Sequence, residues 1–314
     1  MKKWIVSLGV VLILTVLCIY IFIPANIVIS RIMTAEVTIG GEFRQLDQEA
    51  KWEKWWLDSD GKPHVKGEPF RYNGAVYRLI GRENNIVGIE ISQDGLVLKS
   101  LLHLVSFKMD STGSVWTCQI PSGRNPINRV RNYRKALAVS NNMHAILQNL
   151  KVFVSNPQNV YQFSIFKTST KDTTMLSARY ISKTYPTTNE IYEYLKVVEK
   201  SIQKQHGRIS GYPMLNTRTL DSGRFETQVA IPTNRWLDND GEVFSRRMVP
   251  GNFLCAIVKG GPAAIRNATD QLNNFLHDNN KDQIAKPFEQ LVTNRITEPD
   301  TSKWITRVYL PVIQ

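Results

Sequence analysis

The C-terminal half of this chain is one structural unit written twice, and that duplication limits the fold more than any other feature. Each copy reads as a strand, an amphipathic helix and two more strands. The first copy has its helix over 187–206 and a closing strand at 228–232. The second has its helix over 262–279 and a closing strand at 308–312. In the first helix Ile191, Tyr194, Leu195, Val198 and Ile202 recur at helical spacing. In the second, Ile265, Ala268, Leu272, Phe275 and Leu276 do the same. Each helix is apolar on one face only, so each is expected to lie on one side of a sheet, leaving the opposite surface free to line a cleft. Thr187 and Glu190 have the spacing of a capping box, Gly207 suits a left-handed C-terminal cap, and Pro262 fits a first helical turn. Two such copies pack about a pseudo-twofold axis, and the cleft between them is a place for a small molecule.

The N-terminus reads differently. Residues 4–23 carry no charge, and Ser7 and Thr15 are the clearly polar interruptions. A helix of about 20 residues at 1.5 Å each matches a hydrocarbon core of roughly 30 Å. Lys2 and Lys3 precede the run, and Trp4 and Tyr20 sit near its ends. No small-x-small cleavage site follows Ile23, so the run is expected to be an uncleaved single-pass anchor rather than a signal peptide. The expected localisation is a single-pass membrane protein with a cytoplasmic N-terminus and extracytoplasmic folded domains. The lipid bilayer is then a partner through residues 4–23. The expected division is 1–24 anchor, 25–155 first domain and 156–314 second domain.

In the first domain a strand at 27–29 precedes a helical stretch carrying Phe43, Leu46 and Ala50. Trp52, Trp55 and Trp56 follow, then a turn at 58–61. Strand-like runs lie at 75–80, 86–91, 96–104 and 115–120. A long helix over 125–154 places Met143, Ile146, Leu147, Leu150 and Val154 on its inner face. This order, with the segment Trp52–Glu53–Lys54–Trp55 and the Phe22–Ile23–Pro24 lead into the first strand, resembles the START-like superfamily, also called SRPBCC or polyketide-cyclase-like. The resemblance implies a helix-grip domain with a cavity between sheet and helix. The tryptophans then read either as core beneath the sheet or as an aromatic wall of a pocket.

A second resemblance covers the duplicated half. Pro287–Phe288–Glu289, then Glu298–Pro299–Asp300, then the run from Lys303 through Trp304, Arg307 and Tyr309 to Val312 is similar to the end of GyrI-like effector-binding domains. Tyr212–Pro213 and the 250–253 segment fit the same pattern. Such domains also stand behind the DNA-binding parts of AraC- and MerR-type regulators. The resemblance implies a carboxylate in the cleft that meets cationic, lipophilic ligands, and the matching residue is Glu289. The equivalent place in the first copy holds Leu215. The candidate ligand-binding residues are Glu289, Tyr309 and Trp304, with Phe288 nearby. Arg307 shares a strand face with Tyr309, and if Glu289 lies on that face the two charges neutralise each other. The expected fold class is therefore α+β: a transmembrane helix, a helix-grip START-like domain and a duplicated β-α-β-β GyrI-like domain.

Charge and composition exclude other classes. The net charge of +12 raises nucleic acid and anionic surfaces as partners, but the basic residues are scattered. The densest group is Arg124, Arg129, Arg131, Arg134 and Lys135. No recognition-helix, zinc-finger or aromatic–basic pattern is present, so no nucleic-acid partner is expected. The five histidines and three cysteines show no metal-ligand spacing, and no cofactor motif or nucleophile elbow occurs. No metal, cofactor or catalytic residue is expected, and binding without turnover is preferred over an enzyme. The expected function is that of an effector-binding protein for an amphipathic or cationic small molecule. The alternative is a hydrolase or cyclase-like enzyme with Glu289 as general base. A third reading passes the ligand signal to a membrane-protein partner.

Overall fold

The computed structural model describes residues 2–108, 110–170, 173–220, 223–248 and 250–313. The chain divides into two units, Met1–Asn156 and Pro157–Gln314. The first unit opens with α1 (Lys2–Phe22), β1 (Asn26–Ala35), α2 (Ile39–Leu46) and α3 (Glu49–Trp52). The strands β2 (Phe70–Tyr72), β3 (Ala75–Glu83), β4 (Ile86–Gln93), β5 (Leu96–Lys108) and β6 (Ser111–Pro121) follow, and α4 (Pro126–Val154) closes it. The six strands form one antiparallel sheet in the order β1-β6-β5-β4-β3-β2. Asn125 caps α4 with its side chain, and Ala136, Val139, Met143, Ile146, Leu147, Leu150 and Val154 are buried. Their 3–4 spacing makes one apolar stripe.

The three tryptophans are core. Trp52 stacks on Trp56 at 5.6 Å between ring centroids, and all three are buried. The indole N–H groups of Trp52, Trp55 and Trp56 donate to the carbonyl oxygens of Leu46, Gln45 and Arg71. Each ring buries its large apolar body while its one polar atom is satisfied.

The expected anchor is overturned, and with it the fold class that contained a transmembrane helix and the single-pass localisation. Among the described residues no helix is long and apolar enough to cross a membrane. The side chains of Lys2, Lys3, Ile5 and Val6, which entered that expectation, lie outside the described residues. The last turns of α1 are instead tied to the start of α4. Tyr20 Oη donates to the Arg124 carbonyl, and the Arg129 guanidinium lies 4.4 Å from the Tyr20 ring centroid. In place of the expected class stand two curled antiparallel sheets and, among the described residues, seven α-helices.

The second unit runs α5 (Pro157–Tyr161), β7 (Ile165–Thr170), β8 (Thr173–Ser182), α6 (Thr188–Lys204), β9 (Met214–Thr219) and β10 (Phe225–Thr233). It continues with β11 (Phe244–Met248), β12 (Gly251–Lys259), α7 (Pro262–Asp278), β13 (Phe288–Leu291) and β14 (Ile305–Val312). The sheet order is β11-β8-β10-β9-β13-β14-β12-β7. One copy, β8-α6-β9-β10, therefore meets the other, β12-α7-β13-β14, in mirrored strand order about the β9–β13 seam. At that seam Glu289 pairs with Leu215 and Gln290 with Met214. The outer strands are exchanged: β7 precedes the first copy but pairs with β12, and β11 precedes the second but pairs with β8.

Both long helices cover the same face of this sheet. Ile191, Leu195, Val198 and Ile202 pack with Leu176, Ala178, Val229 and Ile231. Ile265, Ala268 and Leu272 pack with Leu254, Ala256, Val258, Val308 and Leu310. Each large aliphatic group buried this way contributes about 1.5–3 kcal/mol. The capping box of α6 is formed, with Thr187 and Glu190 bonding reciprocally. The C-terminal cap differs from expectation. His206 takes the left-handed conformation (φ 52°), and the Gly207 N–H donates to the Ile202 carbonyl at 2.9 Å. Gly207 is needed for space: a Cβ there would sit 2.7 Å from Leu237 Cδ1.

Candidate functional site

A cleft of about 230 Å³ opens between the two copies of the second unit. It lies on the helix-bearing face of the sheet, not on the opposite surface as expected. The helix α6 packs on the first copy and on Leu291 of β13, α7 packs on the second copy, and the cleft lies between the two helices over the rest of the seam. Ile191, Leu215, Ile265 and Val308 supply apolar wall. The Asn216 Nδ2 group donates to the Pro287 carbonyl at 2.6 Å and ties the two copies together at one end.

Glu289 lies on this floor. Strand register sets its direction: Glu289 pairs with Val308 on β14, and Val308 belongs to the core beneath α7. Alternation then sends Arg307 and Tyr309 to the other surface. Arg307 reaches Gln290 Oε1 at 3.4 Å, and Tyr309 stacks on Phe288 with centroids 4.9 Å apart. Of the three residues named from the sequence, Glu289 and Trp304 line the cleft together, and Tyr309 stands on the far side of the sheet.

The counter-charge of Glu289 is Arg295, which the sequence reading did not single out. Arg295 Nη2 donates to Glu289 Oε2 at 3.1 Å and to Thr306 Oγ1 at 3.0 Å. Its guanidinium lies 4.8 Å from the centroid of the Trp304 ring, and its side chain is only 6% exposed. Its position is fixed from the backbone as well, since the Arg295 N–H donates to Tyr192 Oη at 2.8 Å. Trp304 is held in turn by its indole N–H on the Glu298 carbonyl at 2.8 Å. Thus the acid is not held without an internal counterion: a rigid arginine, stacked on a rigid ring, shares one of its oxygens. Burial pushes the Glu289 carboxyl above the ordinary carboxylate range, and the charge and hydrogen bond of Arg295 pull it partly back.

Two further charges, Arg266 and Asp270 on α7, line the same cleft, so the lining carries two charges of each sign. Tyr185 stands at the mouth, half exposed, edge-on to Phe225 at 5.5 Å. Burial, and next the Glu289 charge, push its phenol pKa up. Neither α7 polar residue nor Tyr185 carries a sequence signal, because each becomes a lining group only when the two copies meet.

No family model matches the chain, and no curated protein matches it. Solved structures align with about half of this chain. The C-terminal domain of EcmrR is 15% identical over 48% of this chain and 98% of its own, with a TM-score of 0.43. A hydrolase from Listeria innocua is 9% identical over 48% of this chain and 91% of its own, with a TM-score of 0.38. SAV2435 bound to tetraphenylphosphonium is 12% identical over 48% of this chain and 94% of its own, with a TM-score of 0.31.

Proposed function

We propose that the second unit is a receptor for a small amphipathic molecule carrying a hydrogen-bond donor. The observation behind this reading is the half-satisfied carboxylate on an apolar floor: Oε2 of Glu289, a residue lining the cleft, is taken by Arg295, and Oε1 has no protein donor among the described residues. An ammonium or amide N–H bonded there completes the acid's hydrogen bonding. The body of the ligand rests on Ile191, Leu215 and Ile265. Because Arg295 already supplies positive charge, a donor matters more than a full cationic charge. The volume of about 230 Å³ sits just below the usual ~300–1,000 Å³ of ligand pockets and suits one or two rings. Tetraphenylphosphonium has four rings and no N–H, and is expected to need a wider cleft.

Turnover is not part of this reading. One oxygen of the carboxylate is held by a buried guanidinium, and the lining offers no serine or cysteine nucleophile.

The test is calorimetric titration of the full chain with 2-phenylethylamine, 2-phenylethanol and tetraphenylphosphonium. The expected order is amine, then alcohol, then phosphonium. Glu289→Gln is expected to weaken the amine about tenfold, the order of a lost charge-assisted hydrogen bond. Equal affinity in the variant, or phosphonium as the tightest ligand, contradicts the reading.

A further inference from the structure

The other surface of the same sheet holds a second concave site with opposite character. On β8, Arg179 alternates with Ala178, which packs under α6, so its side chain points away from the helices. Glu226 and Gln228 on β10 alternate with Val229 in the same way. Register brings these groups side by side: Gln228 pairs with Arg179, and Glu226 pairs with Arg218 of β9. Arg246 of the edge strand β11 and Lys286 before β13 complete the lining of a cavity of about 300 Å³.

The charge balance of this cavity is lopsided. Four cations surround a single carboxylate. Glu226 is already engaged, bonded by Arg218 Nε and 3.8 Å from Arg179 Nη1. The Arg218 hydrogen bond, aided by the charges around it, holds its carboxyl below the ordinary range, so it stays ionised and orders the two guanidiniums without neutralising the group. Four like charges gathered in one hollow repel each other, and they gain most when a multiply charged oxyanion enters. Guanidiniums match phosphate oxygens in a fixed fork geometry, and Gln228 adds a neutral donor beside them. Three of the four cations stand on strands of the first copy's half of the sheet and Lys286 leads into β13; beyond it the same surface carries the stacked Phe288 and Tyr309. A compact anion fits that outline better than an extended chain of phosphates.

We propose that this hollow binds the phosphoryl group of a small phosphorylated molecule, with Arg179, Arg246 and Lys286 as the groups that meet it. This site is separate from the cleft at the β9–β13 seam, and its ligand can bind whether or not that cleft is filled.

The experiment is calorimetric titration of the full chain with inorganic pyrophosphate at fixed ionic strength. One saturable site is expected. Arg179→Gln and Arg246→Gln are each expected to weaken it about tenfold, because each removes a charge-assisted contact. Glu226→Gln is expected to tighten it severalfold, a change that a misfolded variant cannot mimic. Glu289→Gln is expected to leave it unchanged, which separates this site from the receptor reading above. An equal loss in Arg208→Gln, an exposed arginine outside the hollow, would reduce the effect to general surface charge and overturn the proposal. So would the absence of saturation, a weaker Glu226→Gln, or a single-stranded oligonucleotide that binds more tightly than pyrophosphate.

Discussion

Two buried carboxylates, Glu42 in the first unit and Glu289 in the second, show how burial alone differs from a site. Glu42 is fully buried in α2, and its carboxylate accepts from the Ser114 hydroxyl. Its Oε2 atom has no hydrogen-bond partner among the described residues. Burial pushes its pKa up to about 7, and the Ser114 hydrogen bond pulls it back only in part. Glu289 is also desolvated, but it meets Arg295 and borders open space. The first acid stores a proton inside a closed core. The second meets a guanidinium at the wall of a cleft, where a ligand can reach it.

The sharpest way to break this comparison is to remove the counterion. Arg295→Met leaves Glu289 desolvated and alone, and is expected to cost about 3–5 kcal/mol at neutral pH, as breaking a buried pair does. Chemical denaturation measures it. The loss should shrink as pH falls, because the acid then takes a proton; a loss independent of pH, or below about 1 kcal/mol, would show that the pair is not the support of the floor.

Next in size is the effect of Glu42. Its folded pKa lies above its unfolded value, so the native state holds the proton more tightly between about pH 4.5 and 7. Stability from this group is therefore full below that window and falls as pH rises through it, by about 3 kcal/mol in all. Glu42→Gln is expected to flatten that part of the stability curve. An unchanged slope would mean that water or a rearranged donor reaches Oε2.

The smallest expected change is also the most informative about the duplication. Glu289→Leu with Arg295→Met gives the second copy the residue that the first copy already has at Leu215. Replacing a buried pair by apolar groups is neutral to stabilising, here within about 1 kcal/mol of the parent or above it. Amine binding should be lost in the same variant. Retained binding would show that the apolar walls alone make the receptor.

What could be read from the residues follows from how local each signal is. The faces of α6 and α7 repeat every three to four residues, and Thr187 with Glu190 marks a helix start, so those elements are visible in the chain itself. Glu289 was reachable through the 287–312 pattern. Arg295 was not, because it sits six positions away in a segment without periodicity. It reaches the acid only after Tyr192 from the other copy holds its backbone. Arg307 was a plausible partner because alternation places it with Tyr309. Which face Glu289 shares depends on the Glu289–Val308 register, and a strand's register is set by its partner. The cap at His206 was misread for a related reason: Gly207 answers to the distant side chain of Leu237, not to the turn.

A crystal of the protein soaked with 2-phenylethylamine tests the receptor claim most directly. The account predicts the amine nitrogen at about 2.8 Å from Glu289 Oε1, the ring between Leu215 and Ile265, and the Arg295 contact intact. Density for the amine elsewhere, an empty cleft at saturating concentration, or an Arg295 swung away to admit the cation would contradict it.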